Sequence, residues 1–250
     1  MDAETLGWIF ASGLCTAIGG AFLLLVRNPT GRLLDVLLGF TAGVMLAATA
    51  FSLLVPALER GGLEEVLVGF ALGGATLLAL DRYVPHLHAR MAERGVPPVE
   101  VQSARHRAAL LLSALTIHNV PEGMAVGLAF AAGGPDLGIP LAVAIGIQNV
   151  PEGFAAAAPL LAAGSSARAA AAVAALTGAV EPPAALAAYG ASTFADAALV
   201  PGLGFAAGAM LYVIADELIP ESHSGGNERE ATLALLTGFG LMLGLDNAFG

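Results

Sequence analysis

Apolar residues run through this chain in long blocks, and short polar segments punctuate them. Eight blocks stand out, at about 5–26, 33–58, 63–80, 108–130, 138–161, 169–190, 199–219 and 231–248. Each is long enough to cross about 30 Å of hydrocarbon at about 1.5 Å per helical residue. The pattern predicts an all-α integral membrane protein of eight transmembrane helices, forming one domain over residues 1–250. The longest polar segment, 81–107, carries Pro85-His86-Leu87-His88 and then Pro97-Pro98. It shows little apolar periodicity.

Composition agrees with a lipid environment. Hydrophobic residues make up 57% of the chain and charged ones only 12%, whereas a soluble domain carries about a quarter charged residues. The formal net charge of −10 argues against nucleic acid, which needs clustered basic side chains. The single cysteine, Cys15, supports neither a disulfide framework nor a thiolate metal site. Met1-Asp2-Ala3-Glu4 is acidic, and no small-residue cleavage site follows, so the first block reads as a retained span.

The arginines orient the helices. Nine of the ten, all but Arg60, fall in the first, third, fifth and seventh connections. Positive charge marks the cytoplasmic side, which predicts both termini outside and the 81–107 loop inside. The outer side then holds Asp2, Glu4, Glu59, Glu64, Glu65, Asp136, Asp196 and Asp246 against one arginine. Such a field concentrates cations at the outer mouth. Two repeats are also visible. Gly39-Phe40-Thr41-Ala42-Gly43-Val44-Met45-Leu46 is echoed by Gly204-Phe205-Ala206-Ala207-Gly208-Ala209-Met210-Leu211, and each leads to a proline, Pro56 and Pro220. The second repeat is Ile117-His118-Asn119-Val120-Pro121-Glu122-Gly123 against Ile147-Gln148-Asn149-Val150-Pro151-Glu152-Gly153. In both cases the paired spans run in opposite directions. That is the signature of an inverted repeat (3+2+3 helices), which in transporters places the substrate near the midplane on interrupted helices.

The doubled stretch carries the chemistry. On a helix, His118 and Glu122 share a face, with Asn119 beside them. Pro121 and Pro151 cannot donate to the carbonyls of Ile117 and Ile147, which predicts kinks there. Glu181, ahead of Pro182-Pro183, adds a third carboxylate at another interruption. No Lys or Arg lies within these three blocks. The glutamates must therefore protonate or bind a cation, and ionisable groups at such depth mark function. One imidazole with several carboxylate and amide oxygens suits zinc, and also cadmium, iron(II) or manganese, but not copper(I). One site would use His118, Glu122, Gln148 and Glu152. A neighbouring one would use Asn119, Asn149, Glu181 and the same two glutamates. Asp216, Glu217 and Glu221 fall at the cytoplasmic end of the seventh block, as an exit. No organic cofactor is called for.

These motifs resemble the paired signature of the ZIP (Zrt/Irt-like protein) divalent metal transporters, especially their bacterial branch. The Gly39–Pro56 stretch and Asp216-Glu217-Leu218-Ile219-Pro220-Glu221 are similar to that family as well. The resemblance implies eight helices with outside termini, uptake of divalent metal through the inner membrane to the cytoplasm, a binuclear site and a homodimer. It also implies weak metal binding by His86 and His88 in the cytoplasmic loop. Some members carry an acidic residue at the place of Asn149, so the second site here has one less negative charge. The competing function is an intramembrane zinc hydrolase, since zinc held by His and Glu activates water. Against it, every acidic residue of the cluster is needed as a ligand. His118 is also a single imidazole where hydrolytic zinc sites use two or three.

Overall fold

The computed structural model describes residues 1–26, 29–83, 104–162, 164–194 and 196–249, and the regular structure there is helical throughout. Helix starts follow local chemistry. α1 (Ala3–Phe22) opens on Asp2, whose carboxylate accepts the Thr5 amide at 2.8 Å. α2 (Gly31–Ala47) opens on Thr30, which accepts from the Leu33 amide at 3.2 Å. These side chains satisfy donors that a first turn leaves orphaned. The chain continues through α3 (Val55–Arg60), α4 (Leu63–Tyr83), α5 (Ala104–Gly133) and α6 (Pro135–Ala162). Then come α7 (Ala167–Gly178), α8 (Glu181–Phe194), α9 (Leu199–Val213), α10 (Ile219–Ser222) and α11 (Glu228–Phe249).

Among the described residues, seven stretches are long and apolar enough to cross a membrane. They are Ala3–Phe22, Gly31–Arg60, Leu63–Leu80, Pro135–Leu161, Ala167–Ser192, Leu199–Ser222 and Glu228–Ala248. Each overlies a predicted block. The remaining block, 108–130, falls within the 30-residue α5, which is about 45 Å long at 1.5 Å per residue.

Interruptions fall partly where the prolines predict them. The sixth block is broken between α7 and α8, just ahead of Glu181-Pro182-Pro183. By contrast, α5 and α6 stay helical through Pro121 and Pro151, so each loses one hydrogen bond without ending. The other two interruptions are π turns, Ala48–Leu54 after α2 and Ile214–Leu218 after α9. Each closes on a five-residue bond, from the Val55 amide to Ala50 O and from the Ile219 amide to Ile214 O. Pro56 and Pro220 follow at once. A proline repels the carbonyl four residues back, and the wider turn relieves that clash. The repeat seen in sequence thus becomes two helices with the same defect at the same place.

The helices pack as two bodies. α1 lies against α6 and α7, and α5 against α6 and α8; α2 pairs with α11, and α4 with α9. Within a body, backbones touch. A Cβ on Gly43 would land on the carbonyl oxygen of Leu235 in α11, and one on Gly73 on that of Phe205 in α9. Small residues allow this approach, which drives helix association in lipid. Between the bodies, α2 meets α6 and α9 meets α5, through a shared apolar core that includes Met45, Val126, Ile145 and Met210.

Gly43→Ala should therefore force α2 and α11 apart. Overpacking of this kind costs about 1–3 kcal/mol, or roughly 5 °C in the thermal midpoint of the solubilised protein. Gly240→Ala in α11 meets nothing within 4 Å and should leave the midpoint unchanged or slightly raised. Equal midpoints for the two variants would contradict the packing described.

Candidate metal site

All seven polar residues of the predicted midplane cluster are buried. His118, Asn119, Glu122, Gln148, Asn149, Glu152 and Glu181 are each at most 5% exposed. α5 supplies the first three, α6 the next three, and α8 supplies Glu181 in its first turn. Helix N-termini favour carboxylates, so the break before Glu181 both aims and stabilises it.

The final glycine of each motif copy sets the depth of the site. A Cβ on Gly123 would strike the backbone of Glu181, and one on Gly153 the backbone carbonyl of Thr16. The two copies therefore dock α5 on α8 and α6 on α1 by equivalent contacts. Thr16 and Glu181, the residues docked upon, hold each other: Thr16 Oγ1 donates to Glu181 Oε1 at 3.2 Å. Thr16 did not figure among the sequence candidates. The only sequence signal for it is that Ser12 and Thr16 are four apart, on one face of an otherwise apolar helix.

The carboxylates are engaged one by one. Gln148 Nε2 donates to Glu122 Oε1 at 2.8 Å. Asn149 Nδ2 donates to both oxygens of Glu181, at 2.9 and 2.8 Å, and to Ser12 O at 3.1 Å. His118 Nε2 lies 2.7 Å from Glu217 Oε1, within ion-pair distance. Among the described residues, no three His, Cys, Asp or Glu groups converge closely enough to hold an ion by themselves; amides stand between them. Several buried acceptors lack a hydrogen-bond partner: Asn119 Oδ1, Glu122 Oε2, Gln148 Oε1 and Asn149 Oδ1. Buried acceptors without partners are costly, and a cation ligated by oxygen would satisfy them. The donor set of one imidazole with amide and carboxylate oxygens fits a borderline divalent ion.

The π turn Ile214–Leu218 carries Glu217, expected at an exit, against His118, so it borders the buried cluster. Asp216 is half-buried in the same turn, and Glu221 is half-buried in α10. His86 and His88 lie outside the described residues. At the first π turn, fully buried Ser52 donates to Asp246 Oδ1 of α11 at 3.2 Å. Among the described residues, polar contacts between the two bodies include His118 to Glu217, Thr41 Oγ1 to Gln148 O at 3.4 Å, and Arg60 Nε to Ala132 O at 3.3 Å.

The sequence model of one family, the ZIP zinc transporter, matches residues 98–246. The zinc transporter GufA of Myxococcus xanthus is 42% identical over 96% of both chains. Zinc transporter ZIPB of Bordetella bronchiseptica is 41% identical over 94% of this chain and 78% of its own. Zinc transporter ZIP11 of Homo sapiens is 34% identical over 98% of this chain and 96% of its own.

The contact between His118 and Glu217 predicts a thermodynamic coupling. The stability losses of His118→Ala and Glu217→Ala, measured without metal and summed, should exceed the loss of the double variant by about 1 kcal/mol or more. Additive losses would mean that the two side chains do not meet.

Proposed function

Because the chain belongs to the ZIP zinc transporter family, we propose that it carries divalent metal, zinc foremost, across the cytoplasmic membrane into the cell. The observation that carries this reading is the buried cluster of His118, Glu122, Gln148 and Glu152, with no Lys or Arg in the blocks that supply it. Cadmium, iron(II) and manganese are further substrates compatible with the same donors. The family is one of transporters rather than enzymes, and the hydrolase alternative has no supporting observation.

The proposed path starts at the acidic outer side, where Ser52 and Asp246 lie beside the first π turn. The ion then sheds water and takes the unspent oxygens of Glu122 and Gln148, with His118 and Glu152. Binding would draw Gln148 Nε2 away from Glu122, since an amide ligates through its oxygen.

Release requires the two bodies to move against each other. The four ligands all belong to the body of α1 and α5–α8, whereas Glu217 belongs to the other body. Backbone-to-backbone glycine contacts lock each body internally, and the contacts between bodies run through replaceable side chains. We take the α1/α5–α8 body as the one that carries the ion past Glu217, with Asp216 and Glu221 on the way out. Eight spans, outside termini, a single domain and a homodimer complete the reading.

Zinc uptake into liposomes containing the purified protein tests it. Wild type should load the vesicles, and Glu122→Ala should lose at least about tenfold of the rate, the usual scale for a damaged metal site. Absence of uptake by wild type would refute transport. Ligands must be deprotonated to bind metal, so zinc affinity should weaken steadily from neutral to mildly acid pH. A flat profile would mean that the carboxylates and imidazole are not the ligands.

A further inference from the structure

We propose that the amide of Asn149 stands in for a second cation beside Glu181, so that this chain binds one transported ion where its two adjacent ligand sets suggest two. The inference rests on the transport reading above.

The geometry around Glu181 is that of an occupied cation position. Its carboxylate is 1% exposed and receives Asn149 Nδ2 on both oxygens, at 2.9 and 2.8 Å. Thr16 Oγ1 adds a further hydrogen bond to Oε1, at 3.2 Å. A near-symmetrical approach to both carboxylate oxygens is how a metal ion sits on a bidentate carboxylate. Here an N–H group takes that place.

The orientation of the amide follows from its surroundings. One end of Asn149 faces three acceptors: both Glu181 oxygens and the Ser12 carbonyl at 3.1 Å. Turning the amide over would aim its oxygen at all three. An amide nitrogen has no lone pair to give a metal, so on this side Asn149 donates and cannot ligate. Its oxygen is buried without a partner, at the other end of the amide.

The first site differs. Gln148 gives Glu122 a single bond, at 2.8 Å to one oxygen. Glu122 Oε2 and Gln148 Oε1 both remain unpartnered in the buried interior. One adjacent pair of carboxylate and amide therefore holds acceptors in reserve, and the other has its carboxylate doubly engaged. An ionised aspartate at position 149 would be acceptor-only and would repel Glu181, a repulsion that a bridging cation or a shared proton must relieve. Exchanging that oxygen for NH2 replaces an ion with hydrogen bonds. Glu181 is then a positioning residue that ties α8 to α1 and α6, rather than a ligand.

The test is zinc stoichiometry by equilibrium dialysis of the full-length protein. It uses a His86→Ala, His88→Ala background, so that loop imidazoles add nothing to the count. One zinc per chain is expected, two for added Asn149→Asp, and one for added Glu181→Gln with affinity within about threefold. Zinc X-ray absorption should show zinc–zinc scattering at about 3.5–4 Å only for Asn149→Asp. Two ions in the parent, or loss of zinc with Glu181→Gln, would overturn the proposal. So would a monodisperse Asn149→Asp that still binds one. If Asn149→Asp does not fold, the parent count and Glu181→Gln decide. Added Glu122→Ala separates the two claims: it should bind no zinc. Retention of the single ion there would overturn the transport-site assignment itself.

Discussion

Carboxylates buried in a helix bundle, with no Lys or Arg in the blocks that supply them, set the terms for the rest of this molecule. Moving a charge from water into such surroundings costs several kcal/mol per ion even after relaxation. Glu122, Glu152 and Glu181 are nonetheless at most 4% exposed. The fold meets this cost with neutral donors: an amide on Glu122, an amide and a hydroxyl on Glu181. None of these donors cancels a charge. The site is thus held in a state that hydrogen bonds make tolerable and that a divalent cation relieves, which suits a ligand that must bind and then leave.

Helix packing serves that arrangement. Gly123 and Gly153 bring α5 onto α8 and α6 onto α1 at backbone contact, so the side chains flanking them meet at one level. The same means hold α2 to α11 and α4 to α9. The result is two bodies joined internally by backbone contact and to each other through side chains, and His118 and Glu217 face each other across that seam. A change at the seam is therefore felt at the imidazole.

The architecture was largely legible in the chain because hydrocarbon-length apolar blocks have few alternative explanations. The doubled motif was legible for a related reason: His, Asn, Gln and Glu are too expensive in such blocks to occur twice by accident. The contact of Glu217 with His118 was not, since periodicity at 3.6 residues cannot show that a π turn shifts the register before Pro220. Thr16 and Ser12 were missed because hydroxyls are inexpensive in membrane helices, where they bond their own backbone, as Ser12 Oγ does to Ile9 O at 3.0 Å. The glycines closing each motif were visible, but their role depends on Glu181 and Thr16, which lie far off in sequence. Pro121 and Pro151 were expected to kink α5 and α6, and both helices continue through them, absorbing the loss of one bond each.

If the two motif copies build one ion site at the face of the α1/α5–α8 body, anomalous diffraction at the zinc edge will find it in crystals of the zinc-loaded protein. The peak should lie about 2.0–2.2 Å from an imidazole nitrogen of His118 and from oxygens of Glu122 and Glu152. A principal peak at Asp216 and Glu221, or on the loop histidines, with none at His118, would rule such a site out.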